Sequence, residues 1–491
     1  MDNENNHPSV SETSKDAKPV FKLNYKRVFL IGFAFFGILL LWQVYDSWCP
    51  TFLSEMFKKA FNTTDEKEVQ YLVGIMMAMD NLAAMIMLPI FGHLSDKTKT
   101  PIGKRMPYIL VGTFVCALAF PFIPVLFHYH NVAGLIVMML IVVIFSMMYR
   151  NPAVALMPDI TPKPLRSKAN GIINIMGYVG GFFATIVGMF FVLSQYLGTE
   201  KDANGVLKPH TWQYNNIWAI ELPFLIASIL MVISAIVLFC TIKENKIHEE
   251  VDDEMKRAEA EAEIVDKITD ENAKMSKANK TMLLLILAAE FFWFMADNGI
   301  GTFMGNYTVY YLGASTRSNS VNVIVGGVGS ILGFIVGGII ASKIGRKWTI
   351  TSGLSISLLS YVFWLILTFT SLKGAAGSGT FPFVIYIVWF VKGFGMSLVH
   401  VNSFPMVVEL CPSKKIGAFT GYYYAASMAA QTVTPIALGS LLRIETFNWG
   451  FLPVYAAACL VFSLTIFLFV PNVKIKNMHI KKGLEALDQD D

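Results

Sequence analysis

Charged residues are scarce in this chain: Lys, Arg, Asp and Glu make up 15% of 491 residues, against 54% hydrophobic. A soluble domain carries roughly a quarter charged residues, so a water-facing globule of this size is excluded. Cysteine is sparse too. Cys49, Cys116, Cys240, Cys411 and Cys459 form no C-x-x-C and fall in or beside apolar runs, which reads as buried free thiols. No H-E-x-x-H and no Ser/His/Asp order occurs, and glycine-rich 326–338 lies inside an apolar run and follows no strand. An enzyme reading therefore has no constellation to stand on. A net charge of +4 is too small to suggest nucleic acid as a partner. His128-Tyr-His130 lacks further ligands and the 25 Met are scattered, so neither a metal nor a cofactor is expected. The first 20 or so residues are polar, show no cleavable signal pattern and read as a cytoplasmic tail.

What is present is a series of twelve apolar runs, near 28–48, 70–91, 107–127, 132–150, 171–196, 216–241, 281–305, 321–342, 349–371, 381–404, 417–442 and 450–470. Most reach the ~20 residues that a membrane helix needs. With the first run starting inside, the short loops after even-numbered runs hold 13 Lys and Arg and the longer outer loops hold eight. Arg150 is counted among the 13. The positive-inside rule then places both termini in the cytoplasm, in a plasma (inner) membrane. The expected organisation is a tail (1–27), a six-helix half (28–241), a charged linker (242–280), a second six-helix half (281–470) and a tail (471–491). In the linker, acids and bases alternate at helical spacing and need no ligand to explain them.

Two internal repeats support the duplication. Gly92-His-Leu-Ser-Asp96-Lys97, running on to Gly103-Lys104-Arg105, returns 246 residues later as Gly338-Ile-Ile-Ala-Ser342-Lys343-Ile-Gly345-Arg346-Lys347. Asp159-Ile-Thr-Pro162 reaches Gly171 as Glu409-Leu-Cys-Pro412 reaches Gly421, and Asn151 and Asn402 precede them. Parallel repeats related by an axis along the membrane normal follow. The second loop resembles the signature G-x-x-x-D-K/R-x-G-R-K of the major facilitator superfamily, with Ser342 in place of the acid. The first, S-D-K-x-x-T-x-x-G-K-R-x-P-Y, resembles the sucrose-type and glycoside–pentoside–hexuronide cation symporters. The resemblance implies an all-α membrane protein of twelve transmembrane helices in two pseudo-repeat halves, working by alternating access. It also implies a cytoplasmic gate in which charge pairs made by Asp96 and nearby bases break as the halves rock. Gate candidates are Gly92, Asp96, Lys97, Gly103, Lys104, Arg105, Asp159, Arg166, Gly338, Lys343, Gly345, Arg346, Lys347 and Glu409.

Ionisable groups inside hydrocarbon are costly and are functional candidates by default. Asp46, Asp80, Glu290 and Asp297 are the ion-coupling candidates, with Asp80, deep in run 2 and beside Asn81, first among them. A proton is preferred to sodium: the D-x-x-x-D-P frame of the glycoside symporters puts Ala84 and Leu88 where their cation-binding acids stand. An ion pair of Asp80 or Asp297 with Lys392 is the structural alternative. Aromatic faces and amides that could hold a sugar are Trp42, Gln43, Tyr45 and Asp46 in run 1, Asn81 in run 2, and Trp293, Asp297 and Asn298 in run 7. Trp389, Lys392 and Asn402 in run 10 and Gln431 in run 11 complete the set. The expected activity is proton-coupled symport of a disaccharide or related glycoside by a monomer in the lipid bilayer. A multidrug or other solute exporter of the same fold and a non-transporting membrane sensor are the rivals. The first would need a mainly apolar cavity and the second a sizeable extra domain.

Overall fold

The computed structural model describes residues 22–162, 165–198, 203, 208, 216–268, 277–372, 377–408, 416–444 and 448–471. Among them are helices and turns but no strand. Twelve helices are long and apolar enough to cross a membrane: Tyr25–Phe61, Glu66–Lys97, Met106–His128, Val132–Asp159, Ala169–Leu197, Trp218–Thr241, Asn279–Tyr311, Thr316–Ile344, Arg346–Phe369, Phe383–Val407, Phe419–Leu442 and Phe451–Leu468. They are numbered here as spans 1 to 12. Hydrocarbon offers no partner to a free amide, so each segment must satisfy its backbone internally, and a helix does this. Polar side chains close the ends: Asn24 accepts from the Arg27 amide (3.0 Å) and Asn131 from the Gly134 amide (2.8 Å).

The helices overrun the apolar runs, most at the ends of spans 1 and 4. Span 1 continues through Pro50 to Phe61, and span 4 through Pro152 and Pro158 to Asp159. Two expectations change. Asp46, expected in the outer third of its run, lies near the middle of a 37-residue helix. Arg150, counted as a cytoplasmic loop base, is inside span 4, nine residues before its end. Of the cysteines, Cys49, Cys116 and Cys459 are buried thiols, Cys240 is exposed, and Cys411 lies outside the described residues.

Buried apolar residues form two separate clusters, one from Val28 to Ile247 and one from Met282 to Val470. In the first half span 1 packs on spans 5 and 6, and span 3 on spans 4 and 6. In the second, span 8 packs on span 10, span 9 on spans 10 and 12, and span 7 on spans 11 and 12. Gly329 and Gly333 let span 8 touch the backbone of span 10, where a Cβ would meet the carbonyl oxygens of Phe390 (2.2 Å) and Phe394 (2.5 Å). The halves meet through spans 2 and 11, 5 and 8, and 1 and 7. Among the described residues every hydrogen bond joining them lies at the end away from the linker. The described hydrogen bonds between the halves thus close the end away from the linker.

Residues Glu244–Ile268 form a helix, as the charge spacing predicts, and its start is docked on the first half. The buried Glu244 carboxylate accepts from the backbone amides of Lys104 (3.0 Å), Arg105 (3.1 Å) and Met106 (3.2 Å), capping span 3. Asn245 donates to the Thr100 carbonyl (3.0 Å), and Arg27 pairs with Glu250 (2.9 Å). Gly103 has φ +117, and a Cβ there would lie 2.1 Å from the Glu244 carboxylate, so only glycine fits. Replacing Glu244 by Ala strands donors at a helix start and is expected to lower stability by about 2 kcal/mol. Gly103→Ala should do the same while leaving Glu244 intact. Thermal unfolding of the purified protein checks both.

Candidate functional site

Spans 1, 2 and 4 bring three charged side chains together at mid-depth in the first half. Asp46 is exposed, while Asp80 is 8% exposed. Asp80 accepts from its neighbour's backbone amide (2.6 Å) and side-chain amide (3.0 Å), so Asn81 serves as its local donor. Asp46 and Asp80 are close enough for their charges to interact, and the Arg150 guanidinium lies within electrostatic reach of Asp80. Arg150 also feels Tyr424 on span 11, across the gap in the other half. It is absent from the sequence candidates because run 4 ends at residue 150 and Arg150 is counted with the loop that follows.

The second half answers with its own cluster. Asp297 on span 7 and Lys392 on span 10 form an ion pair, with side-chain exposures of 31% and 16%. His400 stands near both charges. The structural alternative weighed for Asp297 is thus the arrangement found. Glu290, two turns nearer the linker end, is fully buried, and neither carboxyl oxygen has a hydrogen-bond partner. Tyr423 and Tyr424 lie within electrostatic reach of Glu290. Tyr424 thus lies within electrostatic reach of both Arg150 in the first half and Glu290 in the second.

The loop motifs at the linker end hold together within one half. Arg105 pairs with Asp96 and with Asp159 (2.8 Å), Lys104 also reaches Asp159 (3.1 Å), and Arg105 donates to Ser95 (2.5 Å). Burial works against the Arg105 charge, but Asp159 and Asp96 outweigh it and raise its pKa above the ordinary value. These pairs join spans 2, 3 and 4 within the first half. Gly92 is needed because the Asn151 amide occupies the place of its Cβ (2.4 Å) while donating to Leu88 (2.5 Å). Arg166 bonds the carbonyls of Thr161 (3.0 Å) and Pro158 (2.9 Å), and Lys97 is exposed.

The second copy keeps the frame and loses the acid. Gly345 has φ +87, matching Gly103, and buried Arg346 donates to Asn402 (3.4 Å). Lys347 donates to the Leu468 carbonyl (3.1 Å) and Lys343 is exposed. Ser342 only bonds back to Ile339 (2.7 Å). A Cβ at Gly338 would touch nothing, so close approach at this end falls to Gly337 instead. Glu409, the counterpart of Asp159, lies outside the described residues.

Comparison with known proteins fits this duplicated architecture. The family model described as MFS/sugar transport protein matches residues 31–471. The chain belongs to that family. No curated protein matches the sequence. Among solved structures, this MFS chain is similar to a D-xylose–proton symporter at 16% identity and TM-score 0.63, with 91% of this chain and 98% of that one covered. It is similar to the xylose transporter XylE from E. coli in a partially occluded inward-open conformation at 15% identity and TM-score 0.60, over 92% and 100%. It is also similar to a POT family transporter in complex with 5-aminolevulinic acid at 12% identity and TM-score 0.63, over 91% and 96%. At these identities the likeness establishes the fold of an MFS transporter.

Other sequence candidates of this MFS transporter divide by exposure. Trp42, Gln43, Asn298 and Gln431 are partly exposed. Tyr45, Trp293 and Trp389 are 1%, 0% and 6% exposed and lie in helix packing; the Trp389 ring sits 5.1 Å from Trp364. The Asn402 amide is occupied by Leu398 (3.0 Å) and Arg346, tying span 10 to span 9. A cavity of about 340 Å³ lined by Asp65, Lys67, Tyr71 and Arg443 lies on the far-end seam, remote from the mid-depth acids. The Asp297–Lys392 pair carries the sharpest test. Lys392→Gln leaves a half-buried carboxylate without its cation, and partial hydration limits the loss to about 1–3 kcal/mol. Adding Asp297→Asn should recover most of it, a non-additivity that a double-mutant cycle of thermal stability measures.

Proposed function

We propose that this MFS transporter moves a disaccharide or related glycoside together with protons, with both termini in the cytoplasm and the structure representing its inward-open state. The observation that carries the proton reading is a charge count at mid-depth. Four carboxyl groups, Asp46, Asp80, Glu290 and Asp297, share the region with two permanent cations, Arg150 and Lys392. Asp297 takes Lys392. Arg150 serves Asp80, which leaves Asp46 in the open space and Glu290 enclosed with no partner. An ionised Glu290 would be uncompensated at a cost of several kcal/mol, whereas a protonated one would not. Protonating Asp80 removes the charge facing Arg150 and leaves the guanidinium to Tyr424 on the opposite half. Proton binding and contact across the halves are coupled in this way. The side chains of Ala84 and Leu88 offer no oxygen to a sodium ion.

The sugar reading rests on the residue types left at least partly exposed in these spans: Trp42 for stacking, and Gln43, Asp46, Asn298, Lys392 and Gln431 for hydroxyl groups. Kinship to the MFS/sugar transport protein family, and the sugar and proton in the name of the D-xylose–proton symporter, support it. An exporter of lipophilic solutes would leave this polar set without use. The test is uptake of labelled sucrose and maltose into energised vesicles, with and without a protonophore. Wild type should accumulate sugar in a protonophore-sensitive way. Asp80→Asn and Glu290→Gln should each cut accumulation at least tenfold, and at least one should keep counterflow exchange. Uptake that ignores the protonophore but needs sodium would refute the ion, and no uptake of either sugar would refute the substrate.

A further inference from the structure

The contacts that close the far end are built unlike the rest of the molecule. Asn306 on span 7 is fully buried and joins three side chains of the other half. It accepts from Thr51 (3.0 Å) and donates to Ser54 (3.0 Å) and Gln70 (3.0 Å). Gln70 also donates to Ser54 (3.2 Å), which closes a ring of neutral groups. Immediately after Asn306 the helix widens into a π-helical turn, Tyr307–Tyr311. Such turns are rare and mark functional positions. From it, Tyr310 donates to Glu55 (2.7 Å), while its ring covers the Lys58 ammonium at 4.9 Å. Glu55 and Lys58 are themselves paired at 3.0 Å, each 3% exposed.

Glycines flank this ring from both sides. A Cβ on Gly74 of span 2 would lie 2.0 Å from the Pro435 carbonyl oxygen, and one on Gly439 of span 11 would lie 2.4 Å from that of Gln70. Each half thus presses a bare backbone against the other. Below the ring, a crevice of about 20 Å³ between spans 1, 5, 7 and 8 is lined by Gln43, Ser47, Thr51, Thr185, Asn319 and Ser320. That is room for one water.

We propose that Asn306, with the reciprocal pair Gly74 and Gly439, is the lock of the far-end gate and sets the balance between the two access states. It holds the gate shut with neutral hydrogen bonds that one water molecule, entering at the crevice, can replace one at a time. The proposal needs alternating access but neither the sugar nor the proton.

Paired spin labels test it without any ligand. In a variant with the five native cysteines replaced, labels at Thr64→Cys and Ser378→Cys report the far end. Labels at Lys97→Cys and Lys343→Cys report the linker end. Asn306→Ala should shift the ratio of the two states at least about fivefold, the loss of one net hydrogen bond, lengthening the far-end distance and shortening the other. Thr51→Val should shift it less. Gly74→Ala and Gly439→Ala remove no polar group, yet they should shift it in the same direction. They carry the test alone if Asn306→Ala fails to fold. Unchanged far-end distances in folded Gly74→Ala and Gly439→Ala protein would overturn the proposal, as would a shift toward a tighter far end.

Discussion

An unpaired charge in hydrocarbon costs several kcal/mol, and the placement of polar groups in this transporter follows from that penalty. Where a charge is structural, a partner stands beside it: Arg105 has Asp96 and Asp159, Lys58 has Glu55, and Lys392 has Asp297. The exceptions include Asp46, Asp80 and Glu290: Asp80 has Arg150 within electrostatic reach, while Glu290 is enclosed with no hydrogen-bond partner. A protein that conserved stability alone would have no reason to keep Glu290 enclosed without a donor. Carboxyl groups outnumber cations at mid-depth, and a proton on one of them lessens the imbalance.

Duplication supplied the frame, and divergence made the halves unequal. Gly103 and Gly345 keep the same left-handed backbone, and Asn151 and Asn402 both reach back to the neighbouring helix. In the first half the acid at position 96 survives, and Glu244 of the linker helix ties the loop further. In the second half Ser342 replaces the acid and bonds only to its own helix. In the first half these charges are satisfied internally, and Glu244 anchors the start of the linker helix to the same loop.

Much of the fold could be read from the chain because hydrophobic length is a strong signal in membranes: each of the twelve runs became a span. The ends could not, since proline is tolerated where neighbouring helices re-satisfy the backbone. Pro50 and Pro152 hid the true lengths of spans 1 and 4, and with them the depths of Asp46 and Arg150. The candidate acids were legible because charge in an apolar run stands out. The aromatic candidates were less so, since period alone does not say which face of a fully apolar helix meets a neighbour; Trp293 and Trp389 went into packing. The ring around Asn306 was not legible at all. Thr51, Ser54, Gln70 and Asn306 are ordinary residues until the fold brings positions 236 to 255 apart into contact.

The two ends are held by forces of different strength, and a carrier needs that difference. The described charge pairs at the linker end lie within one half. Of the seven hydrogen bonds that join the halves among the described residues, four are between neutral groups, three of them made by Asn306, and three involve Glu55, Glu66 or Arg317. Asn306's three bonds, each contributing about 1 kcal/mol net, make a coupling of a few kcal/mol, the size that a bound solute or a proton can supply through its preference for one state. A far-end gate closed by buried ion pairs between the halves would demand more than that and would stall the cycle. Glu55 and Lys58 fit this rule, because both belong to the first half and stay paired when Tyr310 withdraws.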